Sequence, residues 1–207
     1  MATRIKICGI TRGHDAVLAA ELGAHAVGLM FYEDSPRFVS LDKAREVIKV
    51  LPPFVTRVGV FVNPEEQHVH AILDELNLDL LQFHGDEPPQ FCTQFGVSYI
   101  KAVRVKKGKD LLQYASRYHD AKGLLLDAHN ERSYGGTGES FDWSLIPGNL
   151  PLPIILSGGL NAANVAHAIR QVRPWAVDVS SGVESSKGIK DAAKIAAFMH
   201  AVRGTNL

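Results

Sequence analysis

Short apolar runs recur along the chain, each ending at a glycine or a small polar residue and each followed by a stretch of helical periodicity. Runs of five to seven aliphatic and β-branched residues bounded by turn signals read as buried strands. Strands are expected at residues 4–8, 26–31, 57–62, 80–84, 99–105, 123–127, 153–157 and 176–180. Helices are expected at about 14–22, 41–51, 111–118, 162–172 and 190–202. Two more begin at recognisable starts: Pro88-Pro89, and Asn63-Pro64-Glu65-Glu66, which reads as an N-cap, a first-turn proline and early acidic residues. After the sixth strand comes a polar, glycine-rich loop to about Ser140 instead of a helix.

Alternating strands and helices imply parallel strands joined by crossovers. Eight such units, at about 25 residues each and with no break in composition, favour closure into a (β/α)8 TIM barrel over an open sheet. The expectation is one domain spanning residues 1–207. Within this pattern the groups capable of chemistry gather where strands end: Cys8, His84, Asp127, Ser157 and Ser180. In a parallel barrel those ends share one face, where active sites of this fold lie.

Composition narrows the picture. Of 207 residues, 46% are hydrophobic and 21% charged, enough for a sizeable core. Basic and acidic residues balance at 22 each, so no overall field favours nucleic acid or an acidic membrane surface. No apolar run reaches the ~18 residues of a membrane span, and Arg4 and Lys6 precede nothing resembling a signal sequence. The two cysteines, Cys8 and Cys92, are expected to be reduced in a cytoplasmic protein, with Cys92 in the core. No paired-cysteine or HExxH motif offers a metal framework.

Two adjacent strand ends suggest an anion site. Ser157-Gly158-Gly159-Leu160-Asn161 and Ser180-Ser181-Gly182-Val183-Glu184 combine small residues, hydroxyls and accessible backbone N–H groups, which suits phosphate. The loops after strands seven and eight are the usual phosphate site of this fold. Cys8 and Asp127, on separated strands of the same rim, are placed to act on opposite faces of a ligand as base and acid. Spacing alone serves equally a helix-capping aspartate and a small buried thiol. Period-two alternation puts Lys6 inward with Cys8 and Asp178 inward with Ser180, so Lys6 and Asp178 should pair one layer below Cys8. Such a cation is expected to make Cys8 more thiolate-like. Gln82 and His84 share an inward face, with His84 at the rim near a ligand. Arg37, in Ser35-Pro36-Arg37-Phe38, reads on sequence alone as a solvated loop arginine, although it is able to fork onto a carboxylate. Tyr134-Gly135-Gly136-Thr137-Gly138 suits a flap over substrate.

Taken together, Lys6-Ile7-Cys8-Gly9-Ile10-Thr11, Ser35-Pro36-Arg37, Gln82-Phe83-His84-Gly85, Leu126-Asp127, Leu156-Ser157-Gly158-Gly159-Leu160 and Asp178-Val179-Ser180-Ser181-Gly182-Val183-Glu184 resemble the phosphoribosylanthranilate isomerase family, over the whole chain. Phe83 departs from the leucine more usual there and points outward by parity. The resemblance implies an Amadori rearrangement of a phosphorylated small molecule without cofactor or metal, by a monomer or homodimer. It assigns Asp127 as general acid, Cys8 as general base and Arg37 as holder of the substrate's carboxylate. The backbone around Gly159, Ser181 and Gly182, flanked by Gly158 and Ser180, would hold the phosphate. Relatives that share the phosphate loops, namely epimerase, indole-glycerol phosphate synthase and thiamin phosphate synthase, and a sensor without turnover, are the alternatives. An epimerase needs metal-ligating His and Asp at successive strand ends, and only His84 fits. The synthase of indole-glycerol phosphate needs rim lysines and a glutamate, which the strand ends lack.

Overall fold

Alternation within each strand sorts side chains between the barrel interior and the helices outside, and the sheet closes accordingly. The computed structural model describes residues 2–128 and 141–205. Eight parallel strands form a closed barrel in chain order: β1 (Arg4–Cys8), β2 (Ala26–Met30), β3 (Thr56–Phe61), β4 (Leu80–Phe83), β5 (Tyr99–Val105), β6 (Leu124–Ala128), β7 (Ile154–Leu156) and β8 (Ala176–Val179). The helices α1 (Gly13–Glu21), α2 (Leu41–Lys49), α3 (Glu66–Glu75), α4 (Pro89–Thr93), α5 (Leu111–Arg117), α6 (Val165–Val172) and α7 (Ala192–Arg203) pack outside. Between β6 and β7 the described residues hold only a 3-10 turn, Trp143–Leu145. The proposed flap at residues 134–138 lies outside the described residues.

Two apolar layers result. Inside, Ile100, Ala102, Leu125, Ile155 and Ala176 fill the lower barrel, and Val58 and Val60 pack with Cys8 higher up. Outside, the larger core lies between sheet and helices. Phe83 points there, as its parity requires, and meets Phe61, Phe91, Phe95 and Tyr99 with ring centroids 5.8–6.1 Å apart.

Three local expectations need correction. Asn63 does not cap α3; Glu65 stands at the N-cap. The Asn63 side chain instead accepts the Asp86 N–H at 2.7 Å, and its backbone takes φ 45°, which asparagine tolerates. The helix expected from Ala162 begins at Val165, because the side chains of Asn161 and Asn164 tie up the preceding turn. The last helix starts at Ala192, capped by Asp191, rather than at Lys190. Residues 184–190 instead form a small antiparallel hairpin, β9 (Glu184–Ser186) and β10 (Ile189–Lys190).

One polar cluster beside the barrel was not anticipated. Lys101 on β5 points outward and is fully buried, donating to Glu87 Oε2 at 2.9 Å and to the carbonyls of Gly85 and Phe83 at 2.7 and 3.2 Å. Glu87 also accepts the N–H groups of Asn63 and Gly85. One ion pair thus fixes the loops that leave β3 and β4. Removing a single partner of such a pair leaves an uncompensated buried charge, at a cost of about 3–5 kcal/mol. Lys101→Met should therefore lower unfolding free energy by roughly that amount in urea titrations, and adding Glu87→Gln should recover part of the loss.

Candidate active site

The rim at the strands' C-terminal ends brings together residues far apart in sequence. At the base of the site, Lys6 Nζ donates to Asp178 Oδ1 at 2.8 Å, both side chains buried, across directly paired positions of β1 and β8. Ser157 Oγ, at the end of β7, donates to Asp178 Oδ2 at 3.3 Å. Burial alone would lower the Lys6 pKa, but Asp178 and Cys8 outweigh it and hold the ammonium up to about 12.

Cys8 ends β1 one layer above, opposite Gly28 of β2. A Cβ on Gly28 would stand 2.7 Å from the Cys8 sulfur and 3.2 Å from Lys6 Nζ, so the missing side chain is what leaves room for both. The thiol is buried, and this burial raises its pKa above the ordinary 9.0 despite the opposing pull of Lys6 and Lys190. The expectation that Lys6 makes Cys8 more thiolate-like thus has the right sign for the pair and the wrong sign for the sum, because desolvation outweighs the attraction. Cys92 is likewise buried and free, within α4, with its thiol pushed up to about 12 by burial.

Asp127, near the end of β6, is held at both oxygens. Oδ1 accepts the Ala128 N–H at 2.9 Å, and Oδ2 lies 3.0 Å from His84 Nε2. Gln82 Nε2 lies 2.9 Å from His84 Nδ1. With the Gln82 amide donating there, Nδ1 is the acceptor and Nε2 carries the proton that Asp127 receives. The rim histidine expected beside a ligand is therefore engaged with the carboxylate.

The two small-residue loops meet over this floor. Gly158 and Gly159 adopt φ 83° and 62°, the left-handed region that favours glycine. A Cβ on Gly158 would press on Ala128 N and lie 3.0 Å from Asp127 Oδ1, so this loop passes directly over the carboxylate. Gly182 abuts the Leu160 carbonyl with no space for a side chain, which joins the Ser180–Gly182 turn to the β7 loop. Asn164 Nδ2 donates to the Gly159 carbonyl at 2.9 Å and fixes its peptide plane.

Arg37 is not the solvated arginine that sequence alone favoured. It is buried at 7% exposure, and Nε and Nη2 fork onto Glu184 Oε1 and Oε2, each at 2.8 Å. Lys190 Nζ donates to the same Glu184 Oε1 at 2.8 Å. Burial would raise the Glu184 pKa, yet Arg37 and Lys190 together keep it below the usual carboxylate range. Neither Glu184 nor Lys190 stood out in the sequence as a site residue; Glu184 closes a motif, but nothing local marks its partner.

Among the described residues no group of three His, Cys, Asp or Glu side chains is placed to hold a metal ion, and no helix is long and apolar enough to cross a membrane.

The chain has counterparts among known proteins. The family model for N-(5′-phosphoribosyl)anthranilate (PRA) isomerase matches residues 5–201. An N-(5′-phosphoribosyl)anthranilate isomerase of Nitrosospira multiformis is 61% identical over 98% of this chain and 97% of its own. A phosphoribosyl anthranilate isomerase solved in complex with reduced 1-(o-carboxyphenylamino)-1-deoxyribulose 5-phosphate superposes with a TM-score of 0.87 at 42% identity, covering 98% of this chain and 99% of that one. Monomers generated from the dimeric enzyme of Thermotoga maritima give 0.86 at 40% identity over the same shares. Family match, identity and fold agree along nearly the full length, and the chain belongs to the N-(5′-phosphoribosyl)anthranilate isomerase family.

Proposed function

We propose that the chain performs its family's isomerisation as an Amadori rearrangement, with Asp127 as general acid and Cys8 as general base. The activity itself, isomerisation of N-(5′-phosphoribosyl)anthranilate in tryptophan biosynthesis, comes with the family. The observation that supports this division of labour is the placement of the acid under the phosphate loop. Gly158 passes over Asp127 Oδ1, while Cys8 stands across the rim above Lys6. A sugar whose phosphate rests on the Gly158-Gly159 and Ser180–Gly182 loops then lies between carboxyl and thiol, oriented by its remote charged ends.

In the proposed reaction Asp127, as general acid, delivers a proton to the furanose ring oxygen. The C1′–O bond breaks, and the nitrogen lone pair forms an iminium. Cys8 as thiolate removes the proton from C2′, and the electron pair moves into the C1′–C2′ bond to neutralise the iminium. The resulting enolamine loses its hydroxyl proton and gains one at C1′, giving the aminoketose 1-(2-carboxyphenylamino)-1-deoxyribulose 5-phosphate. The iminium is itself the electron sink, so the chemistry asks for no cofactor. Arg37 meets the anthranilate carboxylate, and His84 with Gln82 orients Asp127.

The Thermotoga relative is dimeric, and the opposite end of this barrel suits the same assembly. Phe54, fully exposed at φ 69°, stands at the edge of an apolar recess of about 330 Å³ that it helps to line together with Ile5, Val58, Leu80, Ile155 and half-exposed Trp175. An exposed aromatic and an apolar recess on one face are what a two-fold interface between two copies would bury.

Three outcomes test these readings. Cys8→Ala and Asp127→Asn should each reduce kcat by about 100- to 10,000-fold, measured by the loss of the fluorescent anthranilate substrate, while the reduced product analogue still binds; full turnover in Cys8→Ala would end the assignment. Alkylation of Cys8 by iodoacetamide should keep accelerating as pH rises past 9.0, because burial holds the thiol protonated below its raised pKa. A plateau near neutrality would contradict the electrostatics. Phe54→Asp should leave kcat within about twofold and shift sedimentation to the monomer; an unchanged sedimentation coefficient would exclude this face.

A further inference from the structure

Arg37 is held by one edge only. Its Nε and one Nη2 hydrogen are spent on Glu184, and among the described residues Nη1 has no partner. A guanidinium offers five N–H donors in a rigid plane, so fixing the Nε edge fixes the direction of the other. The clamp is itself anchored. Glu184 Oε1 takes a second hydrogen bond from Lys190 Nζ at 2.8 Å, and its backbone carbonyl accepts Lys194 Nζ at 2.6 Å. Lys190 is buried, and its ammonium donates to the Ser180 carbonyl at 3.1 Å, which reaches into the phosphate loop.

The hairpin carrying both residues is pinned to the start of α1. Lys190 N–H donates to buried Asp15 at 3.0 Å, and Thr11 Oγ1 donates to the Gly188 carbonyl at 2.5 Å. Gly9, at φ 70°, has no Cβ because the Arg37 stem and the Ser180 hydroxyl fill that space. The loops after β1, β2 and β8 are therefore locked around one guanidinium.

We propose that Glu184, backed by Lys190, is the specificity-determining positioning residue of this site: it occupies the Nε edge of Arg37 and aims the Nη1 edge at the substrate's aromatic carboxylate. This rests on the reading that Arg37 meets that carboxylate. The opposite role, in which Glu184 mimics and competes with the substrate carboxylate, is disfavoured by the second cation. Lys190 offsets the glutamate's charge, so Arg37, Glu184 and Lys190 carry a net +1 toward an incoming anion, and the clamp need not be released for the carboxylate to bind.

Charge and position are separable. Glu184→Gln alone removes the clamp but also adds a net positive charge, which attracts carboxylates. Glu184→Gln combined with Lys190→Gln removes the clamp at constant net charge. Calorimetry with the reduced carboxyphenylamino product analogue and with its phenylamino counterpart, lacking only the carboxylate, reads the preference directly. In the double variant the preference should fall about three- to tenfold, the ordering cost of one immobilised side chain; both ligands carry the same phosphate, so any change at the phosphate loop cancels in this ratio. An unchanged or increased preference would overturn the proposal. If the double variant does not fold, Glu184→Asp keeps every charge but shortens the clamp by one methylene, and the same fall is expected; an unaltered preference there overturns it equally. Arg37→Met run alongside tells the two readings apart. If it abolishes the preference while the Glu184 variants do not, only the proposal fails; if it leaves the preference intact, the carboxylate is held elsewhere and the assignment of Arg37 fails first.

Discussion

Closing a barrel buries whatever points inward, so an inward charge must find its partner inside. Lys6 and Asp178 meet that demand at the seam between the first and last strands, 2.8 Å apart and opposite one another in register. Their pairing fixes the layer directly beneath the rim. Cys8 stands on it, Ser157 supports it from β7, and Gly28 leaves the space that thiol and ammonium share. Removing one partner of the seam would leave the other an uncompensated buried charge, a cost to the fold itself, even though the lower barrel is filled by aliphatic residues that need no polar partner.

The same rule orders the remaining polar groups. Buried charges occur as Lys101 with Glu87 and as Arg37 with Glu184 and Lys190, each pinning loops at the strands' C-terminal ends. Buried ion pairs seldom add much net stability, since desolvation consumes most of the attraction. They do fix geometry: a loop tied through a bidentate arginine or a buried ammonium has few alternative conformations. That places the rigid polar contacts at the rim and the aliphatic packing below it.

How much of this the sequence disclosed follows from the range of the forces involved. Strand alternation is local, so eight strands, their order and the Lys6–Asp178 pair were legible, as was the outward Phe83. The convergence of Cys8, Asp127 and the glycine loops followed from parallel topology alone. Lys101 and Arg37 were not legible, because their partners lie 14 and 147 positions away, in loops where no periodicity assigns a face. Asn63 misled for a related reason: an asparagine before a proline is a good cap locally, but its side chain was claimed by Asp86 on the next loop. The sign of the Cys8 shift escaped because it depends on depth of burial, which no neighbouring residue reports.

That sign bears on the proposed chemistry. Burial raises the pKa of the Cys8 thiol, and a phosphate dianion nearby would raise it further. The base is needed only after the ring opens, when the iminium places a positive charge one bond from the carbon to be deprotonated. In the proposed mechanism that charge acidifies the C2′ proton and favours the thiolate, which must have released its own proton to solvent before it acts as base. Lys6 cannot substitute for it, since Asp178 already answers its charge.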